Sequence, residues 1–212
     1  MSEPGTVSLP RLVLFDFDGT LTTVETFPLF VRFAAPWWRV RLGGLVLAPL
    51  VLAYRAGWVS GVVVRAAIVR LAFSGMTRGH FDALARVFAA ERFPALVRPD
   101  VLARLRAHRD AGDRVVVVSG NFESLLQPWC DAEGIELLAS RLERRDGRLT
   151  GRYEGSQCAG VEKARRVRKL APEWPSERID AHGDTPEDLP MLAMAAIATY
   201  RGAPWPKGDA VR

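Results

Sequence analysis

The sequence predicts an α/β fold in which a parallel sheet forms the core and a long helical segment is inserted between its first two strands. Three observations carry that expectation. Leu12-Val13-Leu14-Phe15 is an unbroken apolar run that ends at Asp16 and Asp18, as a strand buried on both faces of a parallel sheet would. Val115 to Val118 repeats the pattern and closes on Ser119-Gly120-Asn121, and a third run from Ile179 closes on Gly183-Asp184. Between the first two lies a stretch with helical rather than strand periodicity.

Length and composition fit that outline. A chain of 212 residues buries a core of ordinary size. Its 49% apolar and 25% charged residues are those of a globular protein. The net charge of +5 favours anionic partners without choosing among them. Only Lys163, Lys169 and Lys207 are lysines among 29 basic residues, so a role that needs an ammonium group has few candidates. Cys130 and Cys158 form no Cys-x-x-Cys pair, which argues against a zinc site or a disulfide scaffold and fits a reducing, cytoplasmic setting. The first ten residues show no apolar core, so no signal peptide is expected.

Taken in order, the first strand delivers Asp16 and Asp18 where ligands collect, beyond the carboxyl ends of parallel strands, and Gly19 permits a tight turn after them. Two carboxylates so close repel each other, and a hard cation such as Mg2+ would relieve that. The same pair can also cap a turn. A calcium loop is excluded, because loop positions six and twelve counted from Asp16 hold Leu21 and Phe27.

Phe27, Phe30, Val31 and Ala34 follow at helical spacing until Pro36. Trp37-Trp38-Arg39-Val40-Arg41 then leads into Leu42 to Val64, where Arg55 is the only charge. A segment of that length would span a bilayer, for which about 20 residues suffice, but Arg55 would cost roughly 2.5 to 3.5 kcal/mol. A single crossing would also leave halves of one sheet on opposite sides. Residues 23–95 are therefore expected to form a helical cap, an apolar helix pair that either packs on itself or rests a Trp- and Arg-flanked face in a membrane interface. Residues 1–22 and 96–212 are expected to form the core. Thr77 caps a helix carrying Phe81, Leu84, Ala85 and Phe88, and Pro94 and Pro99 mark the return from the insertion.

Beyond Ser119-Gly120 a helix start would make a cradle of N–H groups for an oxyanion. Leu137 to Glu143 and Leu149 to Tyr153 flank Asp146-Gly147 as a hairpin. Val161-Glu162-Lys163 opens a basic helix without the aromatic interleaving of a nucleic-acid surface. Asp184 and Asp188 stand four apart at the third strand end, able to face the same cation as Asp16. Ala195 to Tyr200 is a last strand, and Gly202 to Arg212 a tail.

The order Asp16-x-Asp18-Gly19-Thr20, strand-Ser119-Gly120, Lys163 and Gly183-Asp184-x-x-x-Asp188 resembles the four motifs of the haloacid dehalogenase superfamily of phosphohydrolases, over residues 12 to about 200. The insertion, Gly147 to Gly151 and Gly160 to Lys163 resemble the branch that contains phosphoserine phosphatase. The resemblance implies a Rossmann-like core, a helical cap and a phosphoric monoester hydrolase. It implies Asp16 as nucleophile, Asp18 as general acid and base, and Mg2+ held by Asp16, the Asp18 carbonyl and Asp184. It further implies phosphate binding by Ser119, Gly120 and Lys163, with Asp188 in support, and Glu25 as a substrate contact. Several features depart from the phosphoserine enzymes. Gly19 replaces a Ser, Gly75 to Phe88 lacks their Arg-bearing signature, Glu187 stands where many relatives have Asn, and the tail carries Trp205. The apolar cap resembles branch members acting on lipid phosphates such as phosphatidylglycerophosphate, which implies a small-molecule or lipid substrate, no nucleic acid, and peripheral contact with the inner face of a membrane. The alternatives are a phosphoserine phosphatase and a non-catalytic anion- or membrane-binding protein.

Overall fold

The computed structural model describes residues 10–206; the leading residues and the last six of the expected tail lie outside the described part. A six-stranded sheet organises the molecule. Its strands are β1 (Leu12–Phe15), β2 (Arg114–Phe122), β3 (Glu136–Ser140), β6 (Ile179–Gly183), β7 (Ile197–Tyr200) and β8 (Ala203–Pro204), in the order β3-β2-β1-β6-β7-β8. All neighbours run parallel except the β7–β8 pair. β4 (Leu142–Arg145) and β5 (Arg148–Tyr153) form a separate antiparallel hairpin.

β1 is central, and all four of its residues are fully buried. Its pleat divides them, with Val13 and Phe15 joining one apolar cluster and Leu12 and Leu14 the other. That is why the strand reads as continuous apolar sequence rather than as alternation. Helices α6 (Pro99–Asp110) and α7 (Glu123–Glu133) contribute to the first cluster, and α8 (Val161–Leu170) and the short α9 (Leu189–Leu192) to the second.

Between β1 and β2 run α1 (Thr26–Ala34), α2 (Trp37–Val46), α3 (Ala48–Arg55), α4 (Gly61–Phe73) and α5 (Arg78–Leu96). Phe30, Phe73 and Phe81 meet Phe122 of β2 in a knot of rings with centroids 5.0 to 6.0 Å apart, so one apolar cluster ties insertion to sheet.

Five expectations change. Leu42 to Val64 is not one helix or a simple pair; it breaks at Leu47 and again over Ala56–Ser60, and among the described residues no helix is long and apolar enough to cross a membrane. Pro94 does not end the insertion, because α5 continues through it to Leu96, while Pro99 occupies the first turn of α6, where no N–H is needed. Leu137 belongs to the main sheet, since Arg141 separates β3 from the hairpin. β2 runs through Ser119-Gly120-Asn121 to Phe122, so α7 starts only at Glu123. Ala203 to Trp205 is not tail: β8 pairs with β7, and Trp205 packs on the second cluster.

Candidate active site

Asp16 and Asp18 follow the end of β1, Asp184 follows the end of β6, and Asp188 closes the short turn after it. The ladder continues one residue past β1, where the Asp16 N–H donates to the carbonyl of His182 (2.9 Å). The chain then turns through Gly19 with φ at +82°. A Cβ there would stand 2.1 Å from Asp184 Oδ2, so Gly19 is needed both for the left-handed turn and for the approach of Asp184. Gly183, with ordinary backbone, leaves room for Asp188, whose Cβ would lie 2.5 Å from a Cβ at that position.

Asp16, Asp184 and Asp188 thereby converge, with one carboxylate oxygen of each within 4.8 Å of the others. Lys163, in the first turn of α8 and almost completely buried, donates to Asp16 Oδ1 and to Asp188 Oδ1, both at 2.5 Å. The other oxygen of Asp188 accepts from the N–H groups of Asp184 (3.1 Å) and Thr185 (2.9 Å) and from the Thr185 hydroxyl (2.9 Å). Asp188 is thus fully engaged as a brace, and both its neighbours on the turn are fixed through it. Thr20 donates to Asp184 Oδ1 (3.3 Å), and Arg201 holds the Asp184 carbonyl (3.0 Å).

Asp18 is kept apart from this group. Its Oδ1 accepts from the N–H (2.9 Å) and hydroxyl (2.5 Å) of Thr26 at the start of α1, and its Oδ2 from Asn121 Nδ2 (2.9 Å). Asn121 also donates to Thr26 (2.9 Å). Ser119 is buried and its Oγ accepts the N–H of Asn121 (3.1 Å), while the Gly120 carbonyl accepts from Ser140 (2.8 Å). Thr26 and Asn121 were not singled out from sequence. Asn121 lay in view beside Ser119-Gly120, but nothing short-range pairs it with a residue 95 positions away.

The electrostatics separate these groups by role. Burial pushes Asp16 well above the usual carboxylate range, and Asp188 and Asp18 add to this against the opposing charge of Lys163. Burial also raises Asp18, against the bonds from Thr26 and Asn121, and raises Asp184 with help from Asp188. Asp188 moves the other way. Burial alone would raise it, but the charge and hydrogen bond of Lys163 and the donors of Thr185 outweigh that. Lys163 is held in its charged form by Asp16 and Asp188 despite desolvation. Three clustered carboxylates share one ammonium, and the surplus negative charge on hard oxygen donors suits a divalent cation of the Mg2+ type.

Glu25 sits at the entrance to α1. Desolvation and the fields of Asp18, Asp184 and Glu187 push its carboxyl up to about 7, opposed by Arg65. Arg65 reaches across from α4, donating to both oxygens of Glu187 (2.8 Å each) and to Gln157 (3.0 Å). Gln157 returns a bond to the Val62 carbonyl (2.7 Å). The helices are therefore latched to the loop that carries Asp188. No periodicity in the sequence encodes this pairing across 122 positions.

The haloacid dehalogenase-like hydrolase family matches residues 13–193, a span that includes every carboxylate of the site. The chain belongs to that family. Among relatives of these hydrolases, protein CicA of Caulobacter vibrioides is 37% identical over 196 residues, covering 91% of this chain and 86% of that protein. A phosphoserine phosphatase of Halobacterium salinarum is 33% identical over 194 residues, covering 88% and 83%. A structure of a protein of unknown function from Bordetella pertussis Tohama I superposes with a TM-score of 0.77 at 22% identity, over 90% of this chain and 89% of that one. In this hydrolase the architecture is mixed α/β, a mostly parallel Rossmann-like sheet flanked by helices, as in the family.

Proposed function

We propose that this hydrolase is a Mg2+-dependent phosphomonoesterase working through an aspartyl-phosphate, with residues 1–22 and 96–212 as the catalytic core and residues 23–95 as a cap. The observation that carries the proposal is the separation of two carboxylates two residues apart: Asp16 on Lys163, Asp18 on Thr26 and Asn121. That separation supports reading Asp16 as a nucleophile beside a cation and Asp18 as a proton carrier.

In this reading an Asp16 oxygen attacks phosphorus, the bond from phosphorus to the ester oxygen breaks, and the departing alkoxide takes a proton from Asp18, whose carboxyl burial raises above its ordinary range. Asp18, now ionised, accepts a proton from the water that attacks the acyl-phosphate, which releases phosphate and restores both carboxylates. Lys163, Ser119 and the N–H groups around Gly120 hold phosphoryl oxygens. Asp16, the Asp18 carbonyl and Asp184 would hold Mg2+, with Asp188 bracing the set; the ion supplies charge neutralisation for the phosphoryl oxygens.

For substrate class we favour a lipid phosphate such as phosphatidylglycerophosphate, met at the cytoplasmic face of a membrane. Cys130 and Cys158, both free and buried, accord with a reducing compartment. Glu25 keeps phosphoserine as the second reading, since a raised carboxyl beside Asp18 would pair with an amine. The carboxylate of phosphoserine would need a free cation as well, and Arg65 is already taken by Glu187 on both oxygens.

The test is phosphate release in Mg2+ from p-nitrophenyl phosphate, phosphoserine and phosphatidylglycerophosphate, with and without chelator, and with Asp16→Asn as the blank. The expected result is chelator-sensitive release that falls at least about a thousandfold in the variant, together with acid-stable phosphate on Asp16 by mass spectrometry. Release undiminished in Asp16→Asn would sink the proposal.

A further inference from the structure

Between Thr26 and Phe81 the chain has no Asp or Glu and seven Arg: Arg32, Arg39, Arg41, Arg55, Arg65, Arg70 and Arg78. The same stretch holds most of the large apolar side chains that the described residues leave in solvent. Ten of the fifteen fall between Trp37 and Val63. Leu45 is 78% exposed, Trp58 84% and Trp37 69%. Such a concentration is not the scatter normal on a soluble surface.

The helices concerned do not need these residues for folding. α3 buries none of its side chains, and α2 buries only Gly43, which lets α2 lie close against Leu71 of α4, where a Cβ would come within 2.7 Å. α2 and α3 therefore form a shelf over α1 and α4, above an apolar groove of about 240 Å³ lined by Phe27, Val31, Val40, Leu47, Ile68 and Leu71. Arg39 and Arg41 lie 5.1 and 5.2 Å from the ring centres of Trp38 and Trp37. Arg32, Arg41, Arg55 and Arg70 have no acidic partner among the described residues.

We propose that this face, made by α2, α3 and the turn carrying Trp58, docks on an anionic lipid bilayer. Tryptophan rings and arginine stems are suited to the headgroup level, where the ring or stem is apolar and the polar end stays wet. Each unpaired Arg near such a surface adds to binding, and a second copy of the chain is the wrong occupant, because pairing this face with itself would set Arg against Arg. The surface also leads to the site. A Cβ on Gly61, the first residue after the Trp58 turn and Ser60, would meet Glu187 Oε1 at 3.1 Å and Tyr54 at 3.6 Å, so the turn borders the latch one residue from Asp188. The inference rests on the phosphatase reading only for the use of this position; the docking itself is independent of catalysis.

The experiment is flotation of the full chain with vesicles of phosphatidylcholine alone and of phosphatidylcholine with phosphatidylglycerol, at low and high salt, with tryptophan emission recorded in parallel. The expected result is binding to the anionic vesicles that weakens with salt and shifts the emission to the blue. Arg41→Gln with Arg55→Gln, and separately Leu45→Ser with Trp58→Ser, should each lower the partition at least about tenfold while p-nitrophenyl phosphate turnover and the circular dichroism spectrum stay unchanged. Three outcomes would each overturn the inference: no binding, equal binding to neutral vesicles, or variants that change only the oligomeric state. Failure of p-nitrophenyl phosphate turnover with intact vesicle binding would instead count against the phosphatase reading alone.

Discussion

The rim of the sheet and the outer face of the helical insertion differ in both charge and burial. At the rim, Asp16 and Asp188 are buried and share Lys163, Asp184 stands beside them, and Asp18 is held apart by Thr26 and Asn121. On the outer face, basic and apolar side chains stand in water, several with no counter-ion among the described residues. Neither arrangement is what folding alone would select. A buried surplus of carboxylates destabilises a fold unless a cation completes it, and exposed tryptophans contribute nothing to a core. On the two readings proposed above, each region is finished by something outside the chain: a cation and a phosphoryl group in one case, a lipid surface in the other.

The sharpest way to break the first half of that contrast is Lys163→Met. It removes the only ammonium between Asp16 and Asp188 and leaves two buried carboxylates facing each other. A stability loss of about 3 to 5 kcal/mol is expected from denaturant unfolding, with turnover down at least a hundredfold even where the variant is folded. A variant as stable as the parent would mean that the carboxylates are already neutral and that Lys163 is no counter-ion.

Glycines offer a matched pair across the two regions. Gly19→Ala places a Cβ at φ +82° and 2.1 Å from Asp184 Oδ2, so Asp184 must move. The expected cost is about 1 to 3 kcal/mol, with the Mg2+ concentration for half-maximal activity rising at least tenfold. Gly44→Ala in α2 meets nothing within 4 Å, and an alanine in the helix should stabilise by about 0.5 to 1 kcal/mol with turnover untouched. Equal effects at the two positions would erase the distinction between an imposed site and a permissive shelf.

Legibility divides along the same line. The strand ends were readable because parallel strands buried on both faces leave uninterrupted apolar runs, and because Asp16, Asp184 and Asp188 stand where those runs stop. What joins those ends to the rest was not readable. Asp18 to Asn121 spans 103 positions and Arg65 to Glu187 spans 122, and no periodicity encodes such a pairing. Pro94 misled because proline usually ends a helix, whereas α5 has only two residues left to run after it. The apolar run from Leu42 to Val64 suggests burial, yet it is divided among α2, α3 and the start of α4, and the packing of α2 and α3 on α1 and α4 leaves the outer side chains in solvent.

The latch where the two regions meet gives a smaller effect. Glu187→Gln removes the charge that Arg65 grips through both of its nitrogen-to-oxygen contacts, but the pair is partly exposed, with 22% and 30% of the two side chains open to solvent. Unfolding free energy should fall by about 1 kcal/mol or less. Turnover should respond more in KM than in kcat, by a few-fold, because closure of the helices over the site loosens while Asp16 and Asp18 stay in place. A fall in kcat alone would place Glu187 in the chemistry rather than at the boundary. A gain of phosphoserine turnover in the same variant would show that Arg65, once released, accepts the substrate carboxylate.

The last test compares one titrating group from each side of that boundary. Glu25 is raised to about 7 by desolvation and neighbouring carboxylates, so between its ordinary value and 7 the folded chain binds more proton than the unfolded one. Its contribution is therefore complete at low pH and is lost as pH rises through about 7. His182, on β6 beneath the site, is lowered to about 4 by burial, with Arg104 and His108 adding to this. There the unfolded chain binds the extra proton, so this contribution is complete above the ordinary histidine value and is lost as pH falls toward 4. Urea unfolding in chelator from pH 4 to 8 separates them. Relative to the parent, Glu25→Gln should gain stability steadily as pH rises and level off above about 7, and His182→Gln should gain it as pH falls. If the Glu25→Gln difference is flat across the window, the entrance to α1 is as well hydrated as the outer face, and the boundary between the two regions lies inside Glu25 rather than beyond it.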